Sequence, residues 1–270
     1  MFELMKIFYW QEILSGKFAD FFENGCALTV GSFDGPHNGH KILFSDVISF
    51  AKSHNILKGI ITFSQSISKI KHRDEFPGNI TTLHQRLSFF EKKSFDFVVI
   101  IDFTENFSKI SGADFFTILS EKMKLKFIAE GLDFKCGFKG NFTSQEINAI
   151  SKTLGFSCKF EALVHGKENT RISSSLIRDN ILHADFKKAE QMLGNHFVLD
   201  LYGSKIENCE KIYKISGFTQ VLPCDGVYNV IVNTFRALRS CLEVKSKEIL
   251  VDLSFNEISR IRSIIFINKE

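Results

Sequence analysis

Apolar positions along the chain alternate between short strand-like runs and stretches with helical spacing. The run 26–30, Cys-Ala-Leu-Thr-Val, reads as a buried strand. Leu43, Phe44, Val47, Phe50 and Ala51 then recur on one helix face. Residues 57–63 read as a second strand, and Leu83, Leu87 and Phe90 mark a helix over 81–93. A third strand is expected at 95–101, an amphipathic helix at 113–123, and short strands at 127–129 and 156–162. The first 25 residues hold a short helix ending near Gly16. Such strand–helix alternation predicts an α/β fold with a doubly wound parallel sheet. After residue 195 the helical spacing stops, and 197–202, 211–216, 226–232 and 249–253 read as short strands. The expected division is therefore 1–194, an α/β domain, and 195–270, a small β-rich domain.

Composition narrows this picture modestly. The 34 basic and 31 acidic residues are well mixed, giving a net charge of +3 and no clustered basic face for nucleic acid. A local basic run at 69–73 reads as part of a mobile, solvated loop over 64–79. The longest apolar run, 97–101, is strand-sized and far short of the ~20 residues of a membrane span. Glu3 and Glu12 interrupt any secretory leader pattern. Cys26, Cys136, Cys158, Cys209, Cys224 and Cys241 form no C-x-x-C pair and no metal-ligand spacing. Reduced thiols in a cytoplasmic protein without membrane attachment are the expectation.

The stretch GSFDGPHNGH, 31–40, sits between the first strand and its helix, where open α/β sheets bind ligands. Gly31 and Gly35 permit tight turns close to a phosphate. Asn38 is a candidate N-cap, leaving first-turn N–H groups to face an anion. His37 and His40, three apart, share a face on a helical turn. A lone Gly-rich turn or a lone histidine is ordinary structure. Two imidazoles at this spacing after Phe-Asp-Gly suit a polyphosphate whose charge shifts during reaction.

Two further clusters matter. EGLDFKCGFKGN, 130–141, again follows a strand and mixes Gly with polar groups; alone it would be a plain loop. RISSSLIRDN, 171–180, offers Ser173 or Ser174 as a helix cap, with Arg178 one turn on as a planar bidentate donor. Alone it would be a Ser-capped surface helix.

Together the three clusters resemble the bacterial FAD synthetase family, a branch of the nucleotidyltransferases with an H-x-G-H motif. The first matches G-x-F-D-G-x-H-x-G-H. In the second, Gly131, Asp133, Phe134, Gly137, Gly140 and Asn141 match, with Cys136 where the family usually has Phe. In the third, Ile172, Ser173, Ser174, Ser175, Ile177 and Arg178 match I-S-S-T/S-x-I-R, followed by Asp185, Ala189, Leu193 and Gly194. The resemblance spans roughly residues 20 to 195.

It implies a Rossmann-like nucleotidyltransferase domain that joins ATP and FMN into FAD and pyrophosphate, with Mg²⁺. By resemblance, His37 and His40 hold the ATP phosphates, while Gly31, Ser32, Phe33, Asp34, Gly35 and Gly39 shape the turn. Ser174, Ser175 and Arg178 grip the phosphates, with Ser173 beside them. Asn141 lies at the Mg²⁺–phosphate site and meets the metal indirectly, through phosphates. Gly131, Asp133, Phe134 and Phe63 border the substrates, Phe134 by packing. The family usually continues Phe-Asp-Pro-His-Pro after the second strand, whereas Phe63 is followed by Ser64-Gln65-Ser66. The small C-terminal block echoes a riboflavin-kinase barrel in LPCDGVY, 222–228, but lacks that enzyme's Gly-x-Pro-Thr-x-Asn segment. Pro36, Pro77 and Pro223 are followed by His, Gly and Cys. FMN adenylylation without riboflavin phosphorylation is the expectation. A different phosphate-bearing acceptor, or a nucleotide- or flavin-binding protein without turnover, stays open, as do protein partners.

Overall fold

The computed structural model describes residues 4–65, 76–164, 170–210 and 212–267. Ser66, the basic run 69–73 and most of the expected loop at 64–79 lie outside the described residues. The chain forms two compact units. The first comprises residues 1–33, 39–71 and 87–164; the second comprises 34–38, 72–86 and 165–270.

The first unit is built on a six-stranded sheet. Its strands are β1 (Lys6–Tyr9), β2 (Cys26–Val30), β3 (Leu57–Phe63), β4 (Phe97–Ile101), β5 (Leu125–Gly131) and, after the two-residue strands β6 (Lys135–Cys136) and β7 (Phe142–Thr143), β8 (Ser157–Glu161). The sheet order is β1-β4-β3-β2-β5-β8, and every pairing is parallel. From β2 the chain winds outward to β3 and β4; from β5 it winds the other way to β8. This is a doubly wound sheet, and its switch point lies between β2 and β5. All residues of β2 and β4 are buried, which explains their unbroken apolar runs.

Helices α1 (Trp10–Ser15), α2 (Asn38–His54), α3 (Leu83–Lys92), α4 (Glu105–Ser108), α5 (Gly112–Met123) and α6 (Ser144–Leu154) fill the connections. Phe115, Phe116, Leu119 and Met123 of α5 join Leu28, Phe97, Val99 and Ile128 of the sheet in one core. Phenylalanine supplies much of it: Phe8, Phe21, Phe22 and Phe97 have ring centroids 5.0–6.5 Å apart. The edge strand β1 and helix α6 were not expected from the apolar pattern. β1 buries only Phe8, and α6 buries only Ile147 and Ser151. What starts α6 is a reciprocal capping box between Thr143 and Glu146.

The second unit holds α7 (Ser174–Leu182), α8 (Phe186–Leu193) and a seven-stranded antiparallel sheet. Its strands are β9 (Val198–Asp200), β10 (Lys205–Cys209), β11 (Ile212–Ser216), β12 (Gly226–Asn233), β13 (Ala237–Lys245), β14 (Glu248–Val251) and, after α9 (Phe255–Ile258), β15 (Ser263–Phe266). The order is β10-β11-β14-β13-β12-β15-β9. Val230, Val232, Leu242, Val244, Ile249 and Ile264 are buried, one side of each strand, as alternation requires. β10, β13 and β15 are additions to the four expected strands.

Candidate functional site

β2 and β5 pair only as far as Leu28↔Ile128, so their C-terminal ends part. The head of the motif and the start of the 131–141 loop both leave the sheet at this opening. Ser32 follows Gly31, and its carbonyl accepts from the Thr62 hydroxyl at 3.2 Å. Phe33 is buried with φ 46°, a left-handed conformation uncommon for a bulky residue. Its ring packs edge-on against His40, centroids 5.1 Å apart, and against Phe44 at 5.0 Å. A Cβ on Gly31 would stand 2.9 Å from the Phe33 ring, so Gly31 is what lets that ring fold back. Gly39 and His40 lie in the first turn of α2, which begins at Asn38 itself; Asn38 donates its amide to Gln191 O at 3.2 Å.

A cavity of about 520 Å³ opens beside Val30 and Gly31. Phe63, Phe103, Phe107, Phe115, Phe134 and Phe138 make its walls largely aromatic, and Cys136 and Gly137 also line it. Gly131 ends β5, and Phe134 donates back to its carbonyl at 2.9 Å, turning the chain into the cavity wall. Asp133 is exposed on that turn. Asn141 is exposed and closes the short turn Phe138–Gly140. It is absent from the cavity wall, whereas its neighbour Gly140 belongs to it.

The rest of the motif, Asp34 to Asn38, lies in the second unit and is heavily hydrogen-bonded. Asp34 Oδ1 accepts from Ile80 N at 2.8 Å and Thr81 N at 2.9 Å, and Oδ2 accepts from Arg178 Nη2 at 2.9 Å. The Ser174 hydroxyl donates to Asp34 O at 2.7 Å, and Gly35 N to the Thr81 hydroxyl at 2.8 Å. Gly35 has φ 64°, and a Cβ there would stand 2.7 Å from Ile80. Arg178 also donates from Nε to Gly78 O at 2.8 Å, and its guanidinium lies 5.0 Å from the Phe76 ring centroid.

Arg178, expected as a bidentate phosphate donor, is therefore buried and committed to Asp34 and Gly78. Ser173 rather than Ser174 caps α7, accepting from Leu176 N at 3.3 Å, and Ser175 is exposed. His37 is buried. Sequence reading missed Arg86, a second buried guanidinium near Asp34. Burial pushes it down to about 10, against the pull of the Asp34 charge. It missed Glu130 as well. The Val30 N–H donates to Glu130 Oε1 at 2.6 Å, inside the β2–β5 opening. The only prior signal was a charged residue at the end of an apolar strand.

Thus Gly31, Phe63 and Phe134 share the cavity, and Asp34, Gly35, Ser174 and Arg178 share one hydrogen-bond network. Among the described residues no group of three or more His, Cys, Asp or Glu could hold a metal ion, and no helix is long and apolar enough to cross a membrane.

Comparison with known proteins adds four findings. The family model for FAD synthetase matches residues 20–176. The chain is 30% identical over 185 residues to a bifunctional riboflavin kinase/FMN adenylyltransferase of Buchnera aphidicola subsp. Schizaphis graminum, covering 67% of this chain and 59% of that protein. It is 23% identical over 202 residues to an FAD synthetase of Listeria monocytogenes, covering 74% of this chain and 79% of that one. The chain thus spans about three fifths of the length of the Buchnera relative. A solved structure described as a macrolide-efflux protein from Streptococcus pneumoniae superposes with TM-score 0.78 at 20% identity, over 91% of this chain and 85% of the other. At that identity the likeness concerns the fold.

Proposed function

The chain belongs to the FAD synthetase family, and from that premise we propose that it is an FMN adenylyltransferase. An FMN phosphate oxygen attacks the α-phosphorus of ATP, the bond to the β-phosphate oxygen breaks, and pyrophosphate leaves with its electron pair. No enzyme nucleophile is required; positioning and charge stabilisation carry the rate. The observation that carries this reading is the aromatic cavity opening beside Gly31, the first residue of the 31–40 stretch that ends in H-x-G-H. Its six phenylalanines suit a flat tricyclic ring, and its volume lies in the ordinary range for a small-molecule site.

His37 and His40 are assigned to the ATP phosphates, and Gly39 allows close approach. Ser175 is exposed and free to meet a phosphate oxygen, whereas Arg178 and Ser174 act by holding Asp34. The absence of a three-ligand acidic or imidazole cluster among the described residues fits Mg²⁺ carried on the polyphosphate with most of its waters. Asn141, an exposed amide oxygen, would meet that ion through the phosphates; bound Mg²⁺ would neutralise charge on the leaving pyrophosphate. We assign this chemistry to residues 1–194 and read 195–270 as an altered barrel without kinase chemistry. A cytoplasmic setting is proposed, which six free cysteines support.

The test is incubation with MgATP and FMN, with products separated by chromatography. FAD and pyrophosphate in equal amounts are expected, and no FMN from riboflavin plus MgATP. No FAD above a protein-free control overturns the assignment; an acceptor that outcompetes FMN redirects it.

A further inference from the structure

The buried carboxyl of Glu130 has no part in the reading above. β2 stays paired with β3 as far as Val30↔Ile61, and β5 with β8 as far as Gly131↔Glu161. Only the pairing between β2 and β5 stops early. Gly31 N–H turns to Ile61 O on the β3 side, so Val30 N–H turns toward β5. A continued ladder would offer it a backbone carbonyl. Instead it meets Glu130 Oε1, and the Thr29 hydroxyl donates to the same oxygen at 3.4 Å. Thr29, Val30 and Glu130 are 0%, 5% and 2% exposed, so water cannot replace this acceptor. A side chain thus takes over a main-chain bond at the point where the sheet opens.

The same backbone forms the cavity wall at Val30 and Gly31. Cys136, also on the wall, is within electrostatic reach: its thiol is pushed up to about 12 by burial and then by the Glu130 charge. Glu130 itself is held well above the ordinary carboxyl range by burial, against the opposing bonds from Val30 and Thr29. A neutral carboxyl can remain there without a counter-cation. The Asp34–Gly35 part of the motif is fixed separately, by Ile80, Thr81, Arg178 and Ser174.

We propose that Glu130 is a positioning residue for the acceptor: its carboxyl replaces the missing β2–β5 ladder bond and sets the Val30–Gly31 wall against which the flavin ring lies. The flavin identity rests on the adenylyltransferase reading; the hydrogen bond does not. Because the ATP-side turn has its own ties, losing Glu130 acts on the flavin and spares ATP.

The experiment compares wild type, Glu130→Gln and Glu130→Ala. FMN Kd is read from quenching of flavin fluorescence, KM is measured for FMN and ATP, and circular dichroism checks folding. Gln keeps an oxygen acceptor in the shape of a neutral carboxyl, and Ala removes it. Expected for Ala are FMN Kd and KM raised about tenfold, the size of one modest contact, with ATP KM unchanged and Gln matching wild type. A folded Ala variant with wild-type FMN affinity overturns the proposal. So does an equal rise in both KM values, which marks general loss of structure, and so does Gln behaving like Ala. If Ala does not fold, Glu130→Asp withdraws the oxygen by one methylene; unchanged FMN affinity there overturns it equally. Wild type that binds FMN but forms no FAD removes the adenylyltransferase reading and leaves the Kd comparison to decide Glu130. Wild type that binds no FMN overturns both.

Discussion

The cavity of the first unit and the Asp34 network of the second carry motif residues in opposite ways. Around the cavity the walls are apolar rings, and Gly31, Phe63 and Phe134 border open space. Around Asp34 there is little space: its carboxylate and carbonyl take five hydrogen bonds, from Ile80, both Thr81 donors, Arg178 and Ser174. The lesson is that a signature residue can serve a ligand or serve the turn that serves the ligand. Arg178 is the clear instance. Its residue type suits phosphate, yet its Nη2 donates to Asp34 and its Nε to Gly78, and it is 6% exposed.

The sharpest way to break this contrast is Asp34→Ala. It leaves the Arg178 charge buried and the Ile80 and Thr81 N–H groups without their acceptor. Breaking one side of a buried pair costs about 3–5 kcal/mol, and urea unfolding should show a loss of that size. A loss below about 1 kcal/mol, the scale of a surface pair, would mean that Asp34 does not tie the turn together.

His40→Ala should behave in the reverse sense. The half-buried ring packs on Phe33, and its proposed role is charge stabilisation. Losing such a donor typically costs about 10²–10³ in kcat, with unfolding close to wild type. A variant that keeps full kcat removes His40 from the chemistry; one that unfolds early moves it into the scaffold beside Asp34. On the cavity side, Phe134→Ala should raise the FMN KM about three- to tenfold, since one aromatic contact contributes about 0.5–1.5 kcal/mol. An unchanged FMN KM would show that the ring packs against its own loop and not against substrate.

Much of this was legible in the sequence because the signals were local. Five consecutive buried residues announce β2, and a repeating apolar face announces α2. Strand β10 could not be read, because all five of its residues are exposed and no apolar face exists. Strand β13 spreads nine residues over only two buried side chains, Leu242 and Val244. The site followed the same rule. Which residues gather at the turn was visible; what each side chain touches was not. Arg178 finds Asp34 across the sequence, and Glu130 finds a backbone N–H of another strand. The apolar pattern of β5 stops at Ala129, so the one charged residue buried in that strand looked like its end.

The last test concerns the protonation of that residue. Burial holds Glu130 well above its ordinary value of 4.5 in the folded chain, while the unfolded chain titrates near that value. Between the two, the folded state keeps a proton that the unfolded state has released. Stability from this group is therefore full below about pH 4.5 and falls as pH rises toward the folded value. Glu130→Gln does not titrate and imitates the neutral carboxyl. Its Tm relative to wild type should climb as pH rises from 5 to 8, by up to about 1.4 kcal/mol per pH unit of linkage, or a few degrees at this chain length. Groups common to both proteins cancel in the difference, except Cys136, whose raised thiol stays protonated throughout this range. A flat difference across the range would mean that Glu130 is ionised where it sits. The bond to Val30 would then be charge-assisted, and the sheet opening would carry a buried negative charge beside the cavity.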